Sequence, residues 1–235
     1  MIISKTPYRI SFFGGGSDFP DWYSKNGGIV LSATINKYIY ISCRNLSPFF
    51  RHKHRFVYSK IELVKDEKKI KHPVLNKVLN KHESNQKKNG LEIHYDGDFP
   101  ARSGIGSSSS FTVGLLNVLN NYYSIKTSKK ELANESINLE QKILNEKVGS
   151  QDQVAAAYGG FNEINFFKNG NYSIKPLFNN YQKLKNFEKK LVLVFTGTRK
   201  KNQTSDTISR NFIKKISTSK KKNILEIMRF AELAK

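Results

Sequence analysis

The sequence predicts a mixed fold of the α+β class, and three features of the chain support this. Residues 2–13 and 28–44 alternate in the manner of strands, and the second segment is rich in Ile, Val, Thr and Tyr. From Pro73 onward the apolar spacing changes to that of helices. A glycine- and serine-rich segment, residues 100–110, follows a predicted strand and opens a predicted helix.

The first half of the chain is predicted to be mostly strands. The elements are, in order, a strand at 2–13, a tight turn at Gly14-Gly15-Gly16-Ser17-Asp18, a strand at 28–44, a strand pair within 54–64, a helix from Pro73 to Asn89 and a strand at 91–98. The turn needs glycine because only glycine populates left-handed backbone conformations freely.

The second half adds more helices. The elements are a helix after residue 107, a helix from Ser128 to about Lys147, a polar turn-like segment at 149–153, strands at 162–167 and 172–176, a buried strand at 191–195 and a final helix with Ile224, Ile227, Met228 and Ala231 on one stripe. Ser128 and Glu131 have the spacing of a capping box at the helix start.

The composition favours a folded, soluble and cytoplasmic protein. Hydrophobic residues make up 38% of the 235 residues and aromatic residues 12%, which is enough for a core. The sequence contains no apolar run near the ~20 residues that span a bilayer. The segment after Met1 lacks the basic and apolar regions of a signal peptide. Cys43 is the only cysteine, so the sequence predicts neither an internal disulfide nor a zinc site.

The net charge of +21 favours anionic small molecules over nucleic acid as partners. Of the 40 basic residues 32 are lysine, scattered along the chain. Nucleic-acid sites favour arginine forks with interleaved aromatic residues, so nucleic-acid binding is disfavoured. Phosphorylated metabolites suit a general positive potential.

The segment from Pro100 to Ser110 predicts a phosphate site. The first amides of a helix lack partners within the helix and attract anions. Gly104 and Gly106 would allow a polyphosphate to approach the backbone. No Gly-Lys-Ser/Thr ends the segment, so it is not a Walker A loop. The alternative is an exposed serine-rich loop whose serine caps the helix.

Two carboxylates and one arginine complete the candidate chemistry. Glu140 could bind Mg²⁺ together with a serine and substrate phosphates, and Asp152 could accept a proton from a substrate hydroxyl. Arg9 could stabilise the charge of a transferring phosphoryl group, and Asp18 could accept hydrogen bonds from sugar hydroxyls. Taken singly, each could instead be a solvated surface or turn residue.

Together these segments resemble the GHMP kinase superfamily. Residues 7–18 (PYRISFFGGGSD) look like its first motif, and residues 100–110 (PARSGIGSSSS), with Ile105 in the usual leucine place, look like its second. Within the superfamily the GGGSD form, the run 98–104 (DFPARSG) and residues 149–153 (GSQDQ) with 158–162 (YGGFN) look most like the kinases that act on D-glycero-D-manno-heptose 7-phosphate. The resemblance covers essentially the whole chain.

The resemblance implies a role for each matching residue. Ser108 and Glu140 would bind Mg²⁺, Asp152 would be the catalytic base and Arg9 would assist it. The ATP phosphates would be held by Pro100, Arg102, Gly104, Ile105, Gly106, Ser107, Ser108 and Ser109. The sugar would be contacted by Gly15, Gly16, Ser17, Asp18, Gly159, Thr198 and Arg199.

The implied fold is a ribosomal S5 domain 2-like N-terminal domain over residues 1–180, followed by an incomplete ferredoxin-like C-terminal domain over 181–235. The superfamily has a third, glycine-rich motif near its C-terminus, and the sequence after residue 200 contains none. The last helix also stops at Lys235 without Gly, Asn or Pro. We therefore expect a C-terminally truncated chain.

The implied reaction is transfer of the ATP γ-phosphoryl group to the anomeric hydroxyl of the heptose 7-phosphate, which serves nucleotide-activated heptose synthesis for capsule or lipopolysaccharide. Three alternatives stay open. They are a fucose-type or unphosphorylated-heptose kinase, an inactive truncated fragment, and a non-catalytic fragment that binds nucleotides or nucleic acid. The sequence does not indicate an oligomeric state.

Overall fold

A computed structural model describes residues 1–81, 90–194, 196–197, 205–216 and 220–235. Within them the strands are β1 (Ile2–Phe13), β2 (Gly28–Leu46), β3 (His54–Val57), β4 (Ile61–Val64), β5 (Gly90–Gly97), β6 (Phe161–Phe166) and β7 (Tyr172–Pro176). The helices are α1 (Pro20–Asn26), α2 (Pro73–Lys81), α3 (Ser107–Tyr122), α4 (Lys129–Asn138), α5 (Gln151–Tyr158), α6 (Tyr181–Glu188), α7 (Ser205–Ile216) and α8 (Lys221–Leu233).

One mixed sheet contains all of these strands, and β2 lies at its centre. β1 runs antiparallel along one edge of β2. The other edge of β2 is shared by two strands, since β6 pairs with its first part and β5 with its last part. β3 lies parallel to β5, and β4 and β7 are the outer strands of the order β4-β3-β5-β2-β6-β7. β2 is long because β-branched and aromatic residues, which suit strands, continue through it.

The main core lies between this sheet and the helices that pack on one of its faces. Ile39, Ile41 and Cys43 alternate along β2 and point toward the helices. Leu115 and Leu119 of α3 are fully buried in the same cluster. The core therefore fixes the position of α3, and with it the position of the glycine-rich segment that precedes this helix.

Most of the predicted elements are confirmed. The capping box is present, since the amide of Glu131 donates to Ser128 Oγ at 3.2 Å and the amide of Ser128 donates to Glu131 Oε2 at 2.8 Å. The predicted end of this helix near Lys147 is wrong, because α4 passes into a π-helical turn, Leu139–Ile143, and the chain then leaves the helix. The predicted end of the α2 helix at Asn89 lies outside the described residues.

Two other predictions are corrected. Asp152 lies in the first turn of α5 rather than in a turn-like segment, because the helix begins at Gln151. The predicted buried strand at 191–195 is wrong for residues 191–194, which form no strand, and Val192 and Val194 are 86% and 70% exposed. A strand needs a neighbour for its backbone groups, and no described strand pairs with this segment.

Four of the described helices, α1, α5, α6 and α7, have no counterpart among the predicted elements. α1, α5 and α6 have only seven or eight residues each, too few for the helical spacing of apolar residues to stand out in the sequence. α7 has 12 residues and is amphipathic, so its spacing could have been found. None of the helices in the described ranges is long and apolar enough to cross a membrane.

Candidate active site

The segment before α3 leaves the first amides of this helix uncovered. Gly104 and Gly106 have left-handed φ angles of +81° and +75°, and Arg102 has a φ of +67°. Gly106 occupies the N-cap position, and no side chain of the described residues caps the helix there. The N–H groups that open α3 are thus free to bind an anion, and the helix dipole adds positive potential.

A bidentate ion pair lies directly against this segment. Arg9 Nε is 2.6 Å from Asp152 Oδ1, and Arg9 Nη2 is 2.7 Å from Asp152 Oδ2. A register shift in β1 occurs at this point, and the amide of Arg9 donates to the carbonyl of Ile105 at 3.1 Å. A Cβ atom on Gly106 would lie 3.1 Å from Arg9 Cγ and 3.4 Å from Asp152 Oδ2. Glycine at 106 therefore lets the pair approach the phosphate segment.

The electrostatics of this pair favour a charged guanidinium. Burial by itself lowers the pKa of Arg9, but the neighbouring carboxylate of Asp152 outweighs burial and the net shift is upward. The Asp152 side chain keeps 24% of its surface exposed. A carboxylate with fixed orientation and partial exposure can still accept a hydrogen bond from a bound molecule.

Asp18 ties the glycine turn to the start of α5. Its Oδ1 accepts from the amide of Gly16 at 2.9 Å and its Oδ2 from the amide of Gln151 at 3.2 Å. The amide of Ser150 donates to the Asp18 carbonyl at 3.0 Å. Burial, and then the charge of Asp152, raise the pKa of Asp18. The side chain is 1% exposed, so Asp18 positions the two segments against each other.

Ser17 is also buried. Its hydroxyl oxygen lies 2.8 Å from the carbonyl oxygen of Gly14 and 2.9 Å from that of Ile29, and it accepts from the amide of Ile29 at 3.1 Å. The residue has no exposed surface. These bonds hold the glycine turn on the first residues of β2, so Ser17 supports the turn from within.

Glu140 lies beneath the start of α3, in the π-helical turn after α4. Ser109 Oγ donates to its Oε2 at 2.9 Å, and Gln153 Nε2 donates to the same oxygen at 2.5 Å. Burial raises the pKa of Glu140 to about 7, against the lowering effect of hydrogen bonds from Thr112, Gln153 and Ser109. Glu140 therefore joins α3, α4 and α5 at one point.

The donor set around Glu140 is compatible with a hard divalent cation. Glu140 Oε1 and Gln153 Oε1 are buried, and among the described residues neither has a hydrogen-bond partner. Mg²⁺ prefers oxygen ligands and commonly takes one or two carboxylates with substrate phosphates. The serine that contacts Glu140 is Ser109, whereas Ser108 is exposed and faces a cavity.

That cavity has a volume of about 600 Å³ and begins at Ser107 and Ser108. Aromatic rings form much of its wall. Phe111 lies 5.0 Å from the His72 ring and 5.6 Å from the Tyr95 ring, centroid to centroid. Its other lining residues include Tyr58, Arg102, Glu146, Asp206 and Arg210. The cavity is thus polar at the helix N-terminus and aromatic further away.

α7 closes one side of the cavity. Asp206 Oδ1 accepts from the amide of Lys147 at 2.7 Å, and Asp206 Oδ2 accepts from Arg210 Nε at 2.7 Å. Arg210 Nη2 donates to the carbonyl of Asn145 at 3.1 Å. These bonds attach α7 to the loop after the π-helical turn.

The structure thus brings several predicted residues together and leaves others apart. Arg9, Asp152 and Gly106 meet, and Ser107, Ser108 and Arg102 line the adjacent cavity. Gly159 caps the far end of α5, about 10 Å along the helix from Asp152. Thr198 and Arg199 lie outside the described residues.

Gln153, Thr112 and the aromatic wall of the cavity are absent from the residues predicted for the site. Ser109 and Thr112 stand three positions apart on α3, and this spacing places both on one face of the helix. That spacing could have identified the pair. The aromatic wall comes from α3 (Phe111), β5 (Tyr95) and the loops that carry Tyr58 and His72, and no local pattern connects these segments.

Because Glu140 is buried, we expect the stability of the protein to depend on pH when EDTA keeps divalent cations away from this carboxyl group. An acid with a raised folded pKa binds its proton more tightly in the folded state, so the folded state loses stability as the pH rises from 4.5 toward 7. The loss is on the order of 3 kcal/mol. Glu140→Gln should therefore gain stability relative to the wild type between pH 5 and pH 8, as measured by urea unfolding. Glu226→Gln, at an exposed position, should show no such gain, and parallel pH profiles for Glu140→Gln and the wild type would contradict the burial argument.

Comparison with known proteins shows which proteins this chain is similar to. The family model described as "GHMP kinases N terminal domain" matches residues 68–160. A D-glycero-alpha-D-manno-heptose 7-phosphate kinase from Campylobacter jejuni is 30% identical over 209 residues, which are 83% of this chain and 60% of the relative. A galactokinase from Thermotoga petrophila is 24% identical over 157 residues, which are 66% of this chain and 43% of that enzyme. The chain thus spans about three fifths of the length of the heptose kinase and less than half that of the galactokinase.

Solved structures agree in fold. The crystal structure of a D-glycero-D-manno-heptose 1-phosphate kinase from Bacteriodes thetaiotaomicron aligns with a TM-score of 0.69 at 26% identity, over 77% of this chain and 61% of that chain. A mevalonate kinase from Methanococcus jannaschii aligns with a TM-score of 0.68 at 16% identity, over 99% and 72% of the two chains. The expected fold class is confirmed. Residues 68–160 match the model of the GHMP kinase N-terminal domain, and in sequence and fold the chain is similar to GHMP kinases.

Proposed function

We propose that the chain is the nucleotide- and sugar-binding part of an ATP-dependent sugar kinase. One observation carries the proposal. Asp152, oriented by Arg9, lies against Gly106, which is the last residue before the open amides of α3. A proton acceptor and a site for a polyphosphate are therefore adjacent, as transfer of a phosphoryl group to a hydroxyl requires.

The phosphates of ATP are assigned to the segment from Pro100 to Ser109. The amides at the start of α3 would bind the phosphate oxygens, and Ser107 and Ser108 would add hydroxyl donors. The cavity beyond them has the size for a nucleotide, and the rings of His72, Tyr95 and Phe111 provide flat apolar surface for a base.

Asp152 is assigned the role of general base. It would accept the proton of the sugar hydroxyl while the hydroxyl oxygen forms a bond to the γ-phosphorus and the bond from that phosphorus to the ADP oxygen breaks. Arg9 holds both carboxylate oxygens, so the orientation of the base is fixed before the sugar binds. Such pre-organisation lowers the barrier without further rearrangement.

Glu140 and Gln153 are the groups that would hold Mg²⁺, with Ser109 as the serine in contact with Glu140. When bound, the cation would neutralise charge on the phosphates. The chain's own contribution is to keep an oxygen of Glu140 buried and free of other partners among the described residues. Ser108, expected from the family motif, would act from the cavity side.

The substrate we propose is D-glycero-D-manno-heptose 7-phosphate, phosphorylated at its anomeric hydroxyl to the 1,7-bisphosphate for nucleotide-activated heptose synthesis. Both heptose kinase relatives are named for a heptose phosphate, and the galactokinase is named for a sugar. The net charge of +21 suits a phosphorylated substrate. Use of ATP is consistent with a cytoplasmic site of action.

The parts of the chain are assigned accordingly. Residues 1–180 would form the ATP-binding domain and residues 181–235 the start of a second domain. Gly15 and Gly16 would face the sugar, with Ser17 and Asp18 supporting the turn from below. Gly159, Thr198 and Arg199 would add further contacts with the sugar.

A substrate screen tests this function. The chain is incubated with Mg·ATP and, separately, with the heptose 7-phosphate, the unphosphorylated heptose and fucose, and ADP release is measured. We expect the heptose 7-phosphate to be the best substrate. If only an unphosphorylated sugar is turned over, the assignment as a sugar kinase stands and the proposed substrate is wrong. If the chain binds the nucleotide but releases ADP with none of the three sugars, the proposal that this chain catalyses the transfer is wrong.

Ser108→Asp is a sharper test of the phosphate site. An acidic residue in the first turn of a helix favours the helix, so stability should be kept or raised slightly. The same charge would repel the nucleotide phosphates, and we expect the Kd for a non-hydrolysable Mg·ATP analogue to rise about tenfold or more. Calorimetric titration measures this. Ser173→Asp, on the exposed part of β7, is the matched control and should bind as the wild type does; equal weakening in both variants would refute the assignment.

A further inference from the structure

A second cavity lies between α4 and the turn that joins β6 to β7. Its volume is about 200 Å³, and it shares no lining residue with the cavity at Ser108. We call it the α4 groove and define it by Lys130, Asn134, Asn138, Lys142, Tyr23 and Ser150. Neither the assigned sugar site nor the assigned nucleotide site uses it.

One wall of the groove is a row of side chains at every fourth position. Lys130, Asn134, Asn138 and Lys142 share one helical face, because residues four apart stand above one another. The two lysines lie at opposite ends of this row, about 18 Å apart along the helix axis. The row thus carries a cation at each end and two amides between them.

Both lysines lack a counter-charge among the described residues, since neither forms an ion pair there. The acidic residues of α4 are occupied elsewhere, since Glu131 binds Ser128 and Glu135 binds Lys81. The groove therefore has a net positive wall.

The floor of the groove carries two buried hydroxyl groups. Tyr23 Oη and Ser150 Oγ are 3.5 Å apart, which is the outer limit of a hydrogen bond. Gln141 Nε2 donates to Ser150 Oγ at 3.0 Å, which leaves the serine hydrogen available as a donor. Each hydroxyl can therefore donate to an oxygen atom of a ligand at a shorter distance than the 3.5 Å that separates the two hydroxyls.

We propose that the α4 groove binds a small polyhydroxylated molecule with an anionic group at each end, of the class of a sugar bisphosphate. The lysines would bind the two phosphates. The amides and the floor hydroxyls, which both donate and accept, would bind the hydroxyl groups between them. The volume admits a compact metabolite and is below that of typical nucleotide-sized sites.

The groove is connected to the start of α5. The amide of Ser150 donates to the carbonyl of Asp18 at 3.0 Å, and Gln151 and Asp152 follow directly in the chain. A ligand that binds Ser150 on the groove side would restrain the first turn of α5. It would therefore lower the frequency of local opening at residues 148–153.

Calorimetric titration of the chain with fructose 1,6-bisphosphate tests the proposal, with inorganic phosphate and fructose as separate probes. We expect the bisphosphate to bind at least about tenfold more tightly than either probe. The double variant Lys130→Met with Lys142→Met should weaken its binding by about tenfold or more. Lys126→Met with Lys183→Met removes the same charge at exposed positions outside the groove and should leave the affinity within about threefold.

Three results would overturn the proposal. Undiminished binding in the Lys130 and Lys142 variant would place the site elsewhere. Equal affinity for phosphate and bisphosphate would exclude the proposed ligand class. Amide hydrogen exchange gives an independent readout, since the bound bisphosphate should slow exchange at residues 148–153 in the wild type. Binding without this protection would refute the link to α5.

Discussion

Replacing Asp152 with asparagine is expected to lower the kcat of sugar phosphorylation by about 10²–10⁴-fold. Asparagine keeps the shape of the side chain and its oxygen can still accept one bond from Arg9, but it cannot take the proton of the sugar hydroxyl. The KM for ATP should change little, because the substitution leaves the amides at the start of α3, which would bind the phosphates, untouched. Steady-state ADP release with the heptose 7-phosphate measures both constants.

The fold of this variant has to be checked, since Arg9 loses a partly buried counter-charge. Removing one partner of such a pair costs stability, and a circular dichroism melt of the variant shows whether it is folded at the assay temperature. Asp96→Asn is a matched control on the exposed end of β5 and should retain activity. A folded Asp152→Asn protein with kcat within about threefold of the wild type would remove Asp152 from the role of base.

Local patterns in the sequence predict the components of the site. A strand before Gly14, a helix after Gly106 and the glycines of the phosphate segment each follow from residues within a few positions of one another. Proximity between segments does not follow in this way. Arg9 and Asp152 stand 143 positions apart, and only the packing of β1, α3 and α5 around one sheet brings them to 2.6 Å.

The same limit explains where the structure differs from the sequence patterns. Ser108 and Ser109 are adjacent and chemically identical, so only the rotation of α3 on the sheet decides which of them contacts Glu140. The apolar run at 191–194 has the composition of a strand, but a strand forms only beside a partner. Gly149 and Ser150 favour a turn at Asp152, whereas the bond from the amide of Gln151 to Asp18 allows a helix to begin there.

Gly149→Ala is expected to destabilise the protein by about 2–4 kcal/mol, because a Cβ atom there would meet a buried carboxylate. The new atom would lie 1.9 Å from Asp18 Oδ2, a distance that cannot persist. Asp18 would have to move, and its bonds to the amides of Gly16 and Gln151 would break. The start of α5 and the glycine turn would then separate.

A second glycine variant distinguishes this contact from backbone strain. Gly170 has a φ of +84°, and a Cβ atom on it would meet nothing within 4 Å, so Gly170→Ala should cost only the strain of a left-handed residue, about 1–2 kcal/mol. Gly149 has no left-handed φ, so its cost comes from contact alone. Urea unfolding of the two variants measures both free energies. If Gly149→Ala were no less stable than the wild type, Asp18 would not be the residue that fixes α5 to the glycine turn, and the orientation of Asp152 would have to depend on Arg9 alone.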